Sequence, residues 1–298
     1  MPIAKLKNVT LSYKEYGDKH LPPVVMVMGL GMGECFWPKE MLRLLVKKGL
    51  RVITFDNRDV GFSQYFPATK PYQSVPLAIG RALLRMPVKA PYKLEDMALD
   101  LVELLDYLKI DSAHLLGVSM GGMIAQVAAT IRPSRVKSLV SIMSASGNPR
   151  TGTGKFKAIY SLFMQPEEPS NPEKLFEHYC KLFNTLKSPK YEYPDTDYEE
   201  LLRKASETTF DPKGAERQLL AILASGDRSA QLSRLTTPTL VIHGEDDPLL
   251  PLAAGKEVAE LIPNAKIKVM PLMGHDLPPI HYEELTSAIA KHIWDAEN

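Results

Sequence analysis

The sequence predicts an α/β protein: a mostly parallel β-sheet with helices on both faces, and an all-helical stretch inserted between two of its strands. Three observations carry this. Short continuous apolar runs, such as Val24-Val25-Met26-Val27-Met28 and Val52-Ile53-Thr54-Phe55, read as strands covered on both sides. They alternate with stretches whose apolar residues recur at helical spacing, as in Leu94, Met97, Leu101, Leu104, Leu105 and Leu108. From about residue 149 to 234 this alternation stops, and only helix-like pieces remain.

Residues 3–16 read as two short strands, followed by a turn at Gly17-Asp18. Strand 24–28 comes next, then a helix over 38–48 that Gly49 ends, then strand 52–55, closed by Asp56-Asn57-Arg58-Asp59. Residues 64–93 hold five prolines and no long period, with a short helix over 76–86. Helix 94–108, strand 113–117, helix 120–132 and strand 136–143 follow. Helical pieces near 155–164, 172–186, 196–208 and 212–225 fill the insertion. Asn171-Pro172 and Asp211-Pro212 start two of them: the first side chain can cap free amides, and proline at the first turn needs no amide partner. The tail resumes the rhythm with strand 239–243, helix 252–262, strand 266–270 and helix 282–294. The pattern divides the chain into a core domain, 1–148 and 235–298, and a helical insertion, 149–234. No internal repeat or low-complexity tract is visible.

The 298 residues, 45% hydrophobic, suffice for one large core with an appended subdomain. A formal net charge of +1 argues for neither nucleic acid nor an anionic membrane as partner. Cys35 and Cys180 are too far apart in sequence to form a disulfide framework, and no Cys/His cluster suggests a metal. The N-terminus lacks a signal-peptide core, and no apolar run approaches the ~20 residues of a membrane span. The expectation is a cytoplasmic protein without metal or organic cofactor. A homodimer is compatible with the sequence.

The chemistry centres on Gly117-Val118-Ser119-Met120-Gly121, which follows the apolar run His114-Leu115-Leu116 and precedes a helical stretch. Strand, sharp turn and helix, with a serine at the apex, is the geometry a nucleophile needs and a structural serine does not. A serine hydroxyl requires a base to take its proton and an acid to orient that base. Among seven histidines, His275 lies in the loop just past strand 266–270, where a base at the carboxyl edge of the sheet must sit. His243 suits packing, His114 is interior to a strand, and His281 opens a helix near His275. His20, His178 and His292 read as surface or insertion residues. The turn after strand 239–243 offers three carboxylates, Glu245, Asp246 and Asp247. An oxyanion needs backbone donors fixed in advance. Met120 follows the nucleophile and supplies one; Leu30, in the glycine-rich turn Met28-Gly29-Leu30-Gly31-Met32-Gly33, supplies the other. No Lys-Ser/Thr pair follows that turn, so it is not a phosphate loop. Met26, Met28, Met32, Met120, Met123, Met143 and Met273 fall in segments around the site; they are either core or a pliable pocket. Gly29, Trp37 and Met143, together with Phe36 and the inserted helices, are the candidate substrate contacts.

These motifs, with Asp56-Asn57-Arg58-Asp59-Val60-Gly61-Phe62-Ser63, His243-Gly244-Glu245-Asp246-Asp247-Pro248 and Gly274-His275, resemble the α/β-hydrolase-fold serine hydrolases, especially small carboxylesterases of the aclacinomycin methylesterase type. The resemblance implies an eight-stranded sheet with a helical cap, a chain order of serine, acid and histidine, and Asp247 as the acid by its offset from Gly244. Met28 stands where many members carry a histidine ahead of the oxyanion glycine. The implied activity is hydrolysis of a carboxylic ester with an apolar portion, through an acyl-enzyme. The same three residues would serve a carbon–carbon bond hydrolase or a cofactor-free perhydrolase. A non-catalytic binding protein on this fold would need no nucleophile.

Overall fold

The computed structural model describes residues 1–67, 72–208 and 210–298. The proline-rich stretch 64–93 includes 68–71, and the helical stretch 149–234 includes 209; these positions lie outside the described residues. Eight strands form one sheet: β1 (Ile3–Lys5), β2 (Thr10–Tyr16), β3 (Pro23–Val27), β4 (Arg51–Phe55), β5 (Ala113–Val118), β6 (Val136–Ile142), β7 (Thr239–Gly244) and β8 (Lys266–Met270). Their spatial order is β1-β2-β4-β3-β5-β6-β7-β8. The β1–β2 and β2–β4 pairs are antiparallel; every pair from β4–β3 to β7–β8 is parallel.

The continuous apolar runs are explained by burial on both faces. Val25, Val27, Ile53, Leu115, Leu139 and Val241 pack into one core layer. Their chain neighbours Val24, Met26, Val52, Leu116, Val140 and Ile242 pack into the other. A period of two places successive side chains on opposite faces, so a strand with cover on both sides must be apolar throughout. Helices α1 (Lys39–Lys47) and, at the chain end, Tyr282–Glu297 cover the second face. Between them in sequence lie α2 (Val75–Leu83), α3 (Leu94–Tyr107) and α4 (Met120–Ile131); the latter two cover the first face.

Between β6 and β7 the described chain is helical: α5 (Phe156–Ser161), α6 (Pro172–Leu186), α7 (Asp195–Ser206), α8 (Pro212–Ser225) and α9 (Ser229–Leu232). Asn171 caps α6 by accepting from the amides of Glu173 and Lys174; Asp211 caps α8 by accepting from Lys213. The remaining helices are α10 (Leu252–Leu261) and α11, the Tyr282–Glu297 segment.

Helix α8 is held on the sheet's loops by a buried ion pair. Arg217 donates from Nε to Asp59 Oδ2 at 2.9 Å and from Nη2 to Oδ1 at 2.7 Å. Beside it, Arg58 makes a second two-pronged pair with Asp100, both bonds 2.6 Å, its guanidinium 4.7 Å from the Phe66 ring centroid. Breaking either buried pair by removing one partner leaves an uncompensated charge, worth roughly 3–5 kcal/mol.

Candidate active site

The turn after β5 puts Ser119 in the left-handed region, at φ 54° and ψ −122°. For a residue with a Cβ this is strained, and the surrounding packing has to impose it. The approach is close on both sides. A Cβ on Gly117 would sit 2.2 Å from the Gly121 carbonyl oxygen, and one on Gly121 would sit 2.0 Å from that of Val27. Ser144 donates its hydroxyl to the Ser119 carbonyl at 2.8 Å, fixing the turn from β6. Two further strained non-glycine residues stand near: Met143, just past β6, at φ 41°, and Leu272, in the loop leading to His275, at φ 56°.

The Ser119 hydroxyl lies 2.9 Å from His275 Nε2, and His275 Nδ1 lies 2.7 Å from Asp247 Oδ2. A carboxylate only accepts, so Nδ1 carries the proton and Nε2 is left to accept from the serine hydroxyl. Asp247 Oδ1 accepts from the amides of Leu249 and Leu250, both at 2.9 Å, which fixes the carboxylate plane. Of the three carboxylates in this turn, Asp247 is the one beside His275. Asp246 turns away to Ser188 at 2.8 Å and Lys190 at 2.6 Å.

His243 lies 3.6 Å from Asp247 but serves the scaffold. Its Nε2 donates to Leu250 O at 2.8 Å, Nδ1 is buried without a partner among the described residues, and burial lowers its pKa. A Cβ on Gly255 of α10 would fall 2.3 Å from Nδ1, so the helix sits flat on this ring. His281 is likewise structural: Nε2 donates to Pro271 O at 2.6 Å, tying α11 to the His275 loop. His292 differs from its expected surface position. It is buried on α11 with Nε2 3.3 Å from Pro238 O, because the inner face of that last helix covers the sheet.

The glycine-rich turn passes directly over the serine: a Cβ on Gly29 would lie 3.3 Å from Ser119 Cβ. Three bonds hold this turn. Asn57 donates to Met28 O at 3.0 Å, Gln218 accepts from the Gly31 amide at 2.8 Å, and Met32 donates to Gly29 O at 3.3 Å. These are the groups that brace the turn. Gln218 was not evident from sequence, since it sits mid-helix 187 positions from Gly31.

Ser119 and His275 open into a cavity of about 1090 Å³, lined also by Gly29, Leu30, Met120 and Met143. Its wall is largely apolar and joins the loops at the sheet's carboxyl edge to side chains of α5, α6, α7 and α8 and to Ile79, Leu83 and Met86 from the α2 region. Of the seven methionines expected near the site, Met28, Met32, Met120, Met123 and Met143 line it, whereas Met26 and Met273 are in the core. Trp37 corrects an expectation. It is not a lining residue; it is buried in the cluster that covers the second face of the sheet, with Met41 and Ile293, where the chain leaves the short Glu34–Phe36 turn in extended backbone and enters α1.

One polar group in the wall was also missed. Asp276 follows His275, accepts from the Gly274 amide at 2.7 Å and receives the Tyr193 hydroxyl. Burial raises its pKa to about 6. An acid adjacent to the candidate histidine is the signal that would have found it. Tyr193, Phe183 and Tyr198 cluster there; the Phe183 and Tyr193 ring centroids are 4.9 Å apart.

Comparison with known proteins agrees with this picture. Residues 22–281 match the alpha/beta hydrolase fold family. The chain is 28% identical to a rhodomycin D methylesterase of Streptomyces peucetius, covering 98% of each chain. It is 30% identical to a poly(3-hydroxyalkanoate) depolymerase of Ectopseudomonas oleovorans, over 85% of this chain and 78% of that one. Among solved structures, a thermophilic esterase from Thermogutta terrifontis superposes with a TM-score of 0.71 at 22% identity, covering 100% of both chains. A meta-cleavage product hydrolase from Pseudomonas fluorescens IP01 gives 0.73 at 20% identity, over 99% of this chain and 98% of that one. With its nucleophile-type turn, its parallel sheet and this family match over most of its length, the chain belongs to the α/β-hydrolase fold family.

Proposed function

We propose that this chain is a carboxylesterase-like serine hydrolase acting on esters with a large apolar portion. The supporting observation is the run of contacts from Ser119 through His275 to Asp247, at 2.9 and 2.7 Å, at the wall of an apolar cavity. His275 Nε2 takes the Ser119 proton as Oγ attacks the ester carbonyl. Asp247 holds the tautomer and offsets the imidazolium charge. The amides of Leu30 and Met120 receive the oxyanion, the second aided by the positive end of the α4 dipole. Collapse expels the alkoxide, which His275 protonates, leaving an acyl-serine. Water, deprotonated by the same nitrogen, then attacks the acyl carbon and frees Ser119. The chain's own residues supply every group these steps use.

The cavity suits this substrate class better than an anionic one. Arg85 is the cation among the described lining residues, and it is an exposed residue at the rim. A substrate carboxylate held inside would meet apolar wall and Asp276, at a desolvation cost with nothing to offset it. The stretch 149–234 is read as a cap, since four of its helices each bring apolar side chains to the cavity's wall.

The test is labelling by a fluorophosphonate probe, with peptide mapping, together with turnover of p-nitrophenyl esters. The expected result is one adduct on Ser119 and ester turnover abolished by Ser119→Ala. A folded chain that takes no label, or turnover that survives Ser119→Ala, would reject the reading and favour a binding protein or another site.

A further inference from the structure

The mouth of the cavity is apolar and exposed, and the two segments that frame it carry cations and no acid. Two segments distant in sequence meet there: α2 with its following loop, and α5 with its flanks. They are joined by packing of Phe163 against the Val75, Ala78 and Leu220 cluster. Leu83 is 64% exposed, Leu84 73% and Phe156 82%, with Leu77, Met86 and Tyr160 also open to solvent. Leu83, Met86, Phe156 and Tyr160 belong at once to this surface and to the cavity wall, so the cavity opens within the patch. Scattered exposed leucines need no explanation, but an apolar ring around an apolar cavity marks a contact surface.

Charge identifies the partner. Residues 72–93 carry Arg81, Arg85, Lys89 and Lys93; residues 149–165 carry Arg150, Lys155 and Lys157; neither segment has an acidic residue, in a chain whose net charge is only +1. Acids resume at Glu95 and Glu167. Asp227, on the same rim, is engaged by the Ser229 amide at 2.9 Å. The near-neutral total therefore conceals two segments that carry only cations, of which Lys155 also faces Asp246 in the turn after β7.

We propose that the α2–α5 rim docks on the surface of an anionic phospholipid membrane, with the leucines and Phe156 in the interface and the lysines and arginines against the lipid phosphates. Bound this way, the cavity faces the lipid, and an apolar ester enters it without crossing water. An apolar ring alone would serve a protein partner equally well; seven flanking cations select an anionic sheet of charge. No described helix is long and apolar enough to cross a membrane, so the contact is peripheral. The docking rests on the rim's own residues. Only the passage of substrate rests on the ester-hydrolase reading.

The experiment is co-sedimentation with phosphatidylcholine vesicles, with and without phosphatidylglycerol, at low and high salt. The wild type is expected to pellet with the anionic vesicles and to be released by salt. Lys89→Glu combined with Lys157→Glu should lower partitioning about tenfold or more, since each basic residue near such a surface contributes about fivefold. Leu84→Asp should lower it as well. Both variants should keep the wild-type melting temperature and turnover of a water-soluble ester, which shows an intact fold. Wild type that pellets with neither vesicle overturns the proposal. So does vesicle binding that neither variant weakens. A dimer seen by sedimentation velocity and dissolved by Leu84→Asp, without vesicle binding, assigns the rim to a second copy instead. Binding retained by a chain inactive on all esters would leave the docking standing and reject the ester-hydrolase reading alone.

Discussion

The side chain of Gln218, on α8, accepts the backbone amide of Gly31 at 2.8 Å and donates to Arg58 O at 2.7 Å. A helix from the inserted stretch thus fixes the turn that passes over Ser119. Backbone donors stabilise an oxyanion only when held in place before the charge develops. Arg217, the preceding residue, anchors the same helix turn through Asp59. The inserted helices therefore do more than line the cavity: one of them also braces the turn over Ser119.

Gln218→Leu should lower kcat about tenfold with a smaller change in KM, because a loosened Gly31 turn weakens transition-state contacts more than ground-state ones. The variant also leaves the Gly31 amide and the Arg58 carbonyl without their partner, for roughly 1–3 kcal/mol each if no water replaces it. Steady-state kinetics on a soluble ester, with a melting curve, separates the two effects. An unchanged kcat would show that Gln218 only packs.

Ser119→Gly should abolish turnover and raise stability. At φ 54° the serine backbone is held in a conformation that glycine adopts freely. Relief of that strain, less glycine's extra chain entropy, leaves about 1 kcal/mol, or about 2 °C in Tm for a chain of this size. Ser119→Ala keeps the Cβ and the strain, and should melt with the wild type. Equal melting of all three would mean the turn stores no strain.

Asp276→Asn should change how stability varies with pH. Burial raises the Asp276 pKa from 3.8 to about 6, so the folded chain holds this proton more tightly than the unfolded chain does. Its ionisation therefore costs stability progressively from about pH 4 to about pH 6, and the full cost persists above that. Asparagine cannot ionise. The Tm of the variant minus that of the wild type should rise across this window and then level off. A constant offset is added, because one acceptor for the Gly274 amide and the Tyr193 hydroxyl becomes a donor. A difference flat between pH 4 and 6 would place the titration elsewhere.

Much of the architecture was readable because strand and helix leave different periods in a linear text. Val24 to Val27 is apolar without interruption since β3 is covered on both faces, and Asn171-Pro172 starts α6 as its capping chemistry requires. The placement of Ser119 and His275 was legible for the same kind of reason: a strand–turn–helix with glycines at fixed offsets, and a histidine in a loop at the carboxyl edge. Burial of individual side chains was less so. Trp37 and His292 carry no periodic signal that says which neighbour covers them, and each lies in the interior.

The amino-acid order alone determined which segments become strands, which become helices, and where a reactive serine could stand, because backbone sterics and side-chain period act between near neighbours. Tertiary folding decided what lies beside what. It brought a hydroxyl and an imidazole nitrogen 156 positions apart to 2.9 Å, set Gln218 against Gly31, and joined the α2 and α5 segments at an apolar mouth. Those relations depend on packing between remote elements, and contacts of that kind leave no mark in a local stretch of sequence.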